Sequence, residues 1–344
     1  NMPGGRSGAK AWVDGVANVW LIGGDGYPGS NSAAGSLNDL WKYTVSTGEW
    51  TWIGGSNLPN QNGVYGTKGV PSTTNIPGAR EFMMYWTDAT GNFWMFGGDG
   101  FPAVGSISVL NDLWRYNPTT NEWTWMHGAN FTDDPGVYGT KGVASPSNVP
   151  GARHGSGAAT DASGNLWLFG GYGNGPSAST GNLNDLWRYN IASNQWTWIS
   201  GTNQLNQFGN YGTLSVTSST NNPGGREFPM LWSDKSGNLW LFGGGGFAAA
   251  SPQGHLNDFW KFNTASGNWT WMGGSTIVNQ QGNYGSLNFP STTNIPGGRF
   301  SSAGWTDQFG NLWLFGGTGY ATAVVPGRLN DLFMYNTYTN EWTW

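Results

Sequence analysis

Apolar residues in this sequence come in short runs separated by clusters of Gly, Asn, Asp, Pro and Thr. In one segment the runs are residues 80–87, 93–96, 113–116 and 123–126. Residues 88–92, between the first two runs, are typical of a β-hairpin turn, with Gly91 where a positive φ is needed. No segment has the period of an amphipathic helix. The pattern therefore predicts four short antiparallel strands.

This segment is one of five copies. The tetrapeptide Pro-Gly-(Gly/Ala)-Arg recurs at intervals of 74, 73, 73 and 73 residues, and each copy is followed by a Gly-Gly pair, a Leu-Asn-Asp and a Trp-Thr-Trp. The tetrapeptides end at Arg6, Arg80, Arg153, Arg226 and Arg299. A fixed period of this length indicates a repeat architecture.

The order of these landmarks resembles the kelch motif: a strand ending in Gly-Gly, then an Asn-Asp-Leu-Trp-x-Tyr strand, then a Trp strand. The resemblance covers all five repeats and implies four-stranded blades of a β-propeller around a central channel. It predicts an all-β fold, a single five-bladed β-propeller domain closed by packing of blade five against blade one. The blades are expected at approximately 1–74, 75–147, 148–220, 221–293 and 294–344.

Two features depart from the family. The stretch between blades is long, and five blades are fewer than is common, so a piece of a longer propeller or array is the alternative. A Gly-x-Tyr-Gly segment recurs in these stretches, around Tyr65, Tyr138, Tyr211 and Tyr284. Because its distance from the next Arg is fixed, we expect the stretches to be ordered.

Composition removes several classes of function. The chain of 344 residues has a net charge of -5 and only 10% charged residues, so no basic face is available to bind nucleic acid. No apolar run approaches the roughly 18 residues that span a bilayer, and residues 1–5 do not resemble a signal peptide. Zero Cys excludes disulfides, thiol catalysis and the Tyr–Cys radical site of kelch-containing galactose oxidases. We expect no cofactor.

Most repeated side chains have a structural interpretation. The 23 Trp are expected to pack blade against blade, in preference to stacking on sugars. Two sets of Asp, in the hairpin turns and in the Asn-Asp pairs, are expected to cap turns. His127 and His255 are isolated in sequence and are expected at the surface. The two Asp sets are Asp14, Asp88, Asp161, Asp234, Asp307 and Asp39, Asp112, Asp185, Asp258, Asp331.

The five arginines begin the first strand of each blade. By resemblance to kelch domains they would line the channel mouth and form a ring that binds an anion or carboxylate: Arg6, Arg80, Arg153, Arg226 and Arg299. The alternative, which identical use in five blades favours, is an ion pair that braces each blade.

The residue after each arginine varies from blade to blade: Ser7, Glu81, His154, Glu227 and Phe300. Glu81, His154 and Glu227 are therefore candidate ligand-binding residues, together with Asp25 and Asp99 in nearby loops. Aromatic side chains after the Gly-Gly pairs would add stacking: Tyr27, Phe101, Tyr172, Phe247 and Tyr320. Acid–base catalysis and a Ca²⁺ site at Asp25, Asp99 and Glu81 are weaker interpretations, and the metal question stays open.

Function is expected on the long-loop face, since binding sites concentrate on loops held by a rigid scaffold. The leading hypothesis is a non-catalytic extracellular module that binds a glycan or a protein; the extracellular location rests on composition alone. The first alternative is a structural subunit that self-assembles into a fibre or surface layer. The second is a carbohydrate-active enzyme.

Overall fold

Every regular element among the described residues is a β-strand. The computed structural model describes residues 2–29, 33–177, 179–250 and 252–344, and these contain 29 strands in antiparallel pairs. No helix in the described part of the chain is long and apolar enough to cross a membrane. The predicted all-β class is confirmed.

Repeats 1 and 2 show the common plan. Repeat 1 contains β1 (Arg6–Ser7), β2 (Lys10–Val13), β3 (Val19–Ile22), β4 (Asp25–Gly26), β5 (Gly35–Ser36), β6 (Leu40–Thr44) and β7 (Glu49–Gly54). Repeat 2 contains β8 (Arg80–Glu81), β9 (Met84–Thr87), β10 (Phe93–Gly100), β11 (Ser108–Asn117) and β12 (Glu122–His127).

Repeats 3 to 5 follow it. Repeat 3 contains β13 (Arg153–His154), β14 (Gly157–Thr160), β15 (Leu166–Asn174), β16 (Thr180–Asn190) and β17 (Gln195–Ser200). Repeat 4 contains β18 (Arg226–Glu227), β19 (Met230–Ser233), β20 (Leu239–Phe242), β21 (Gly245–Gly246), β22 (Gly254–His255), β23 (Phe259–Asn263) and β24 (Asn268–Gly273). Repeat 5 contains β25 (Arg299–Phe300), β26 (Ala303–Thr306), β27 (Leu312–Gly319), β28 (Gly327–Asn336) and β29 (Glu341–Thr343).

The five repeats give seven sheets because two of them are divided. Repeats 2, 3 and 5 each form one sheet, whereas repeats 1 and 4 each form a four-stranded and a three-stranded sheet. The division falls at the Gly-Gly pair, where Gly97 and Gly98 of repeat 2 have φ of 60° and 96° and the register shifts. Only glycine adopts such angles without strain, and the pair produces a bulge in repeats 2 and 5.

The first strand differs from the prediction. Residues 80–87 are not one strand, because Phe82 has a φ of 54° and separates β8 from β9. Phe228 and Ser301 hold the same left-handed conformation in repeats 4 and 5, where φ is 49° and 56°. Repeats 1 and 3 have glycine there, Gly8 and Gly155, for which the conformation is free.

The second and third strands are longer than predicted. In repeat 2 the second strand continues past the Gly-Gly bulge to Gly100, and the third begins at Ser108. Asp99 was expected in a loop but lies on the second strand, and Asp25 lies on the equivalent β4. These extensions carry the variable residues discussed below.

The chain forms two compact units, of residues 1–138, 146–155 and 173–179, and of residues 139–145, 156–172 and 180–344. The first unit has a core where repeats 1 and 2 meet, and there Trp12 stacks on Phe93 with ring centroids 5.0 Å apart. The second has equivalent cores where repeats 3 and 4, and repeats 4 and 5, meet. Most Trp are buried in these cores or against them, as expected; Trp52 and Trp305 are exposed.

The stretch between two repeats, here called the insert, is built onto the repeat that follows it. Ser72 pairs with Trp123 of the fourth strand in repeat 2, and Gly69 donates to the Trp125 carbonyl. Lys68 lies 4.3 Å above the Trp125 ring. The inserts are residues 55–79, 128–152, 201–225 and 274–298, and each has such a Ser–Trp bridge. They therefore protect the outer edge strand of the next repeat.

Candidate functional site

The five arginines lie inside the repeats. Arg80, Arg153, Arg226 and Arg299 are at most 1% exposed, and the Arg6 side chain is 5% exposed. Arg80 makes a bidentate pair with Asp112 at 2.6 and 2.7 Å and donates to the carbonyls of Gly78 and Gly97. The same pairing joins Arg6 to Asp39, Arg226 to Asp258 and Arg299 to Asp331. This geometry matches the bracing interpretation, because few guanidinium donors are left for a ligand.

The aspartates of the Asn-Asp pairs do not cap turns, contrary to expectation. Asp112 accepts hydrogen bonds from Arg80, from the Trp114 indole at 2.7 Å and from the Tyr65 hydroxyl at 2.6 Å. We call these four residues and their equivalents the framework network. Since Tyr65 belongs to the preceding insert, the network also anchors that insert. The aspartates of the hairpins do cap turns: Asp88 accepts the backbone N–H of Thr90 and Asn92.

Next to the network lie three cross-strand neighbours whose identities vary among the repeats. We call each set a variable row, and its members are the residue after the arginine, the residue after the Gly-Gly pair and the residue before Leu-Asn-Asp. Directly opposed residues in an antiparallel sheet project from the same face. The rows are Ser7–Asp25–Ser36, Glu81–Asp99–Val109, Glu227–Gly245–His255 and Phe300–Thr318–Arg328 in repeats 1, 2, 4 and 5.

In the first unit the rows bring together an acidic cluster, defined as Asp25, Glu81, Asp99 and His154. Glu81 and Asp99 are directly opposed, and His154 Nδ1 lies 2.8 Å from Asp99 Oδ2. The His154 and Asp99 side chains are 17% and 27% exposed, and Glu81 is half-buried. The cluster thus joins three repeats and remains open to solvent.

The electrostatics of the cluster follow from this packing. Burial raises the pKa of Glu81, the charges of Asp25 and Asp99 raise it further, and His154 partly offsets them. Two carboxylates opposed on a sheet repel each other, so the folded protein holds these groups against their mutual repulsion. A ligand that donates hydrogen bonds to them relieves that repulsion.

The rows of repeats 4 and 5, in the second unit, contribute two adjacent rings, His255 and Phe300. His255, expected at the surface, is half-buried between Phe300 and Tyr320, with ring centroids at 5.0 and 5.5 Å. Phe228 lies 6.4 Å from Phe300. Burial lowers the pKa of His255, so its imidazole is mostly neutral at pH 7. Glu227 occupies the first position of the repeat 4 row and is half-buried.

The predicted stacking aromatics do not form one set. Tyr27 is 54% exposed, Tyr172 is 36% exposed, and Phe247 packs edge-on against Phe208. Tyr27, Phe101, Phe247 and Tyr320 hold equivalent backbone positions, each donating its N–H to a carbonyl just before the arginine of its repeat. Tyr172 lies instead on β15, where its hydroxyl is 3.5 Å from Thr180 Oγ1.

Sequence reasoning missed His255 and Arg328 as row members. Both precede a Leu-Asn-Asp, at a position that differs in all five repeats, and that variation is the signal that could have found them. His127 was also misplaced, since it is 9% exposed at the end of β12. Among the described residues no three His, Asp or Glu side chains are arranged to hold a metal ion.

The fold resembles that of a solved structure. No family model matches the sequence, and no curated protein matches it. The solved structure described as "Structure of YjhT" superposes with a TM-score of 0.59 at 14% identity, covering 98% of this chain and 83% of that one. Identity this low shows the fold alone. The chain therefore has a β-propeller-like, all-β repeat fold.

Proposed function

We propose that this chain is a non-catalytic kelch-type module, five-bladed and extracellular, that binds a neutral glycan at its variable rows. The observation that carries the proposal is the acidic cluster. Asp25, Glu81, Asp99 and His154 are solvent-accessible polar groups at positions where the repeats differ. Folding requires the framework network in every repeat. It does not require that the row residues differ from one repeat to another.

The chemistry of the cluster favours a neutral sugar over an acidic one. Three carboxylates accept charge-assisted hydrogen bonds from sugar hydroxyls and repel a carboxylate or sulfate. The framework arginines are paired with aspartates, so they offer no compensating charge. Tyr27, 54% exposed in the same unit, supplies a ring on which the apolar face of a sugar can stack.

The extracellular location rests on composition. Zero Cys makes the fold independent of redox conditions, and a surface rich in Gly, Asn and Thr with few charges is common among exported proteins. Secretion of the full-length protein by its source, followed by fractionation, tests this part separately from binding.

A glycan array containing neutral, uronic and sulfated sugars tests the binding function. We expect neutral glycans to bind and their acidic counterparts to bind more weakly. Titration calorimetry on a retained glycan should then show an affinity loss of about tenfold or more for Glu81→Gln and for Asp99→Asn, since each removes a charged acceptor. Binding by acidic sugars alone would overturn the proposal.

The matched control is Glu49→Gln, which removes the same charge from an exposed carboxylate at the start of β7, outside the rows. It should leave affinity unchanged. If all three variants weaken binding equally, the effect is one of net charge and the site is elsewhere. Release of shorter sugars from the bound glycan would assign the chain to the carbohydrate-active enzymes instead.

A further inference from the structure

Within each compact unit, consecutive repeats meet through two complementary faces. A leading face, made of second- and third-strand side chains, packs on the trailing face of the next repeat. At the joint of repeats 4 and 5, Phe259 of the leading face lies 4.6 Å from Tyr335 and 5.2 Å from Trp342 of the trailing face. The joints of repeats 1 with 2, and of 3 with 4, use the equivalent positions.

Repeat 5 has a leading face that is exposed. Phe315 is 45% and Leu332 39% exposed, whereas their equivalents in repeat 4, Phe242 and Phe259, are each 1% exposed. Trp305, on the first strand beside them, is 47% exposed, against 3% for Trp232. Soluble proteins rarely leave a contiguous apolar patch open unless it binds something.

The sequence of repeat 5 has not adapted this face to water. Four repeats have a cation on the third strand, and each cation lies over the second-strand Trp: Lys42, Arg115, Arg188 and Lys261. Repeat 5 has Met334 at that position. A face intended for solvent would have gained charge, whereas this one has lost it.

The backbone of repeat 5 also leaves a joint contact open. In repeat 4, Gly244 donates its N–H to the carbonyl of Arg299 in the next repeat at 2.8 Å, and that same oxygen lies 2.7 Å from where a Cβ on Gly243 would stand. Beside Gly316, the equivalent of Gly243, the nearest atom outside its chain neighbours is its own repeat's Leu329 carbonyl. Within the described residues, no arginine carbonyl approaches Gly316.

Repeat 1 presents the complementary surface. Val19, Leu21, Tyr43 and Trp50 make up its trailing face and are only partly buried. Their equivalents in repeat 2 are at most 6% exposed: Phe93, Met95, Tyr116 and Trp123. Among the described residues, the leading face of repeat 5 and the trailing face of repeat 1 are therefore both more exposed than the equivalent faces at the joints described above.

We propose that the leading face of repeat 5 binds the trailing face of repeat 1 in a second copy of this chain. Arg6 of that copy would bring its carbonyl to Gly316 and Gly317, as Arg299 does to Gly243 and Gly244. The contact is head-to-tail, so each added copy presents a new free face. This inference is independent of the ligand surface.

Sedimentation velocity of the 344-residue chain over a wide range of concentrations tests the proposal. We expect association that increases with concentration. Phe315→Asp on the leading face and Leu21→Asp on the trailing face should each weaken it by at least about tenfold, because each places an unpaired charge in the joint. A wild-type chain that is monomeric at every concentration, as closure within one chain would make it, overturns the proposal.

Mixing the two variants distinguishes head-to-tail contact from other contacts. The Phe315→Asp chain keeps its trailing face and the Leu21→Asp chain keeps its leading face, so an equimolar mixture should form a dimer that cannot extend. Failure of the mixture to dimerise overturns the proposal. The control is Tyr338→Asp, at a side chain that is 81% exposed in a turn of repeat 5, and association should survive it.

Stability measurements separate loss of contact from loss of fold. Each variant should keep the wild-type melting temperature of the monomer, because the substituted side chains are exposed or only partly buried. Phe242→Asp, at the matching buried position in repeat 4, should unfold the protein. If Phe315→Asp itself fails to fold, Leu332→Lys replaces it in every arm of the test.

Discussion

Arg80 and Glu81 are adjacent in sequence and lie in opposite environments. The arginine is 1% exposed and hydrogen-bonded within the framework network, while the glutamate is half-buried beside two other carboxylates. The arginine is present in all five repeats, whereas the position after it holds Ser, Glu, His, Glu and Phe in turn. One two-residue strand therefore supplies both a structural and a variable side chain, because its two side chains point to opposite faces.

The largest expected effect comes from breaking the network. Asp112→Asn leaves the Arg80 guanidinium buried without its counter-charge, and we expect the free energy of unfolding to fall by about 3–5 kcal/mol. Urea denaturation followed by Trp fluorescence measures it. Asp99→Asn, the matched change in the variable row, should cost less than about 1 kcal/mol. Equal losses would remove the distinction between network and row.

A smaller effect is expected from pH at His127. Burial, together with the Lys68 charge, lowers its pKa from 6.5 to about 4. The folded protein therefore holds a neutral imidazole, and the stability this gives is present above pH 6.5 and lost as pH falls towards 4. The loss should reach up to about 3 kcal/mol and be absent from His127→Gln. Parallel stability curves of the two proteins between pH 7 and pH 4 would contradict it.

Phe82, which has a positive φ and follows Glu81 of the repeat 2 row, should show a difference of about 1 kcal/mol in the free energy of unfolding between two substitutions. Phe82→Gly and Phe82→Ala remove the same ring, but only alanine retains the cost of a positive φ. Glycine should therefore be the more stable variant by about 1 kcal/mol, the reverse of the usual order within a strand. Thermal unfolding of both proteins decides the order. Alanine proving the more stable would mean that the segment relaxes to another conformation.

The smallest effect is expected at Glu81. Its raised pKa means that ionisation weakens the fold, so Glu81→Gln should raise stability at pH 7 by about 0.5 kcal/mol or less, since solvent screens the half-buried group. The gain should vanish as pH falls below about 4.5, where the wild-type side chain is protonated as well. A loss of stability on substitution would place Glu81 with the network.

The sequence predicted the strands well where the evidence was local. The hairpin aspartates and the Trp strands each depend on neighbours a few residues away, as with Asp88 and Asn92. Asp112 was misread because its partner Arg80 is 32 residues distant and its role appears only when the strands are paired. The break at Phe82 was missed because a bulky residue with positive φ has no signal in a single sequence.

The candidate residues were selected from the sequence without their arrangement, and their role in binding stays a prediction. Glu81, His154, Asp25 and Asp99 were chosen because they vary, and the structure brings them into one cluster. The rows themselves need the register beyond the bulge at Gly97 and Gly98, which the alternation of apolar residues does not determine. His255 was missed for the same reason.

Along the chain, each insert comes before the repeat that it covers. Each insert is synthesised before the repeat that it covers, so Tyr65 is already present when Asp112 emerges from the ribosome. A fragment that begins at residue 75, the boundary expected from the sequence, would lose the hydrogen bond from Tyr65 to Asp112. A fragment of residues 55–127 would keep it. We therefore expect the smallest fragment able to fold to begin with an insert and to end with the fourth strand of the next repeat. Its boundaries then differ from those of the repeat seen in the sequence.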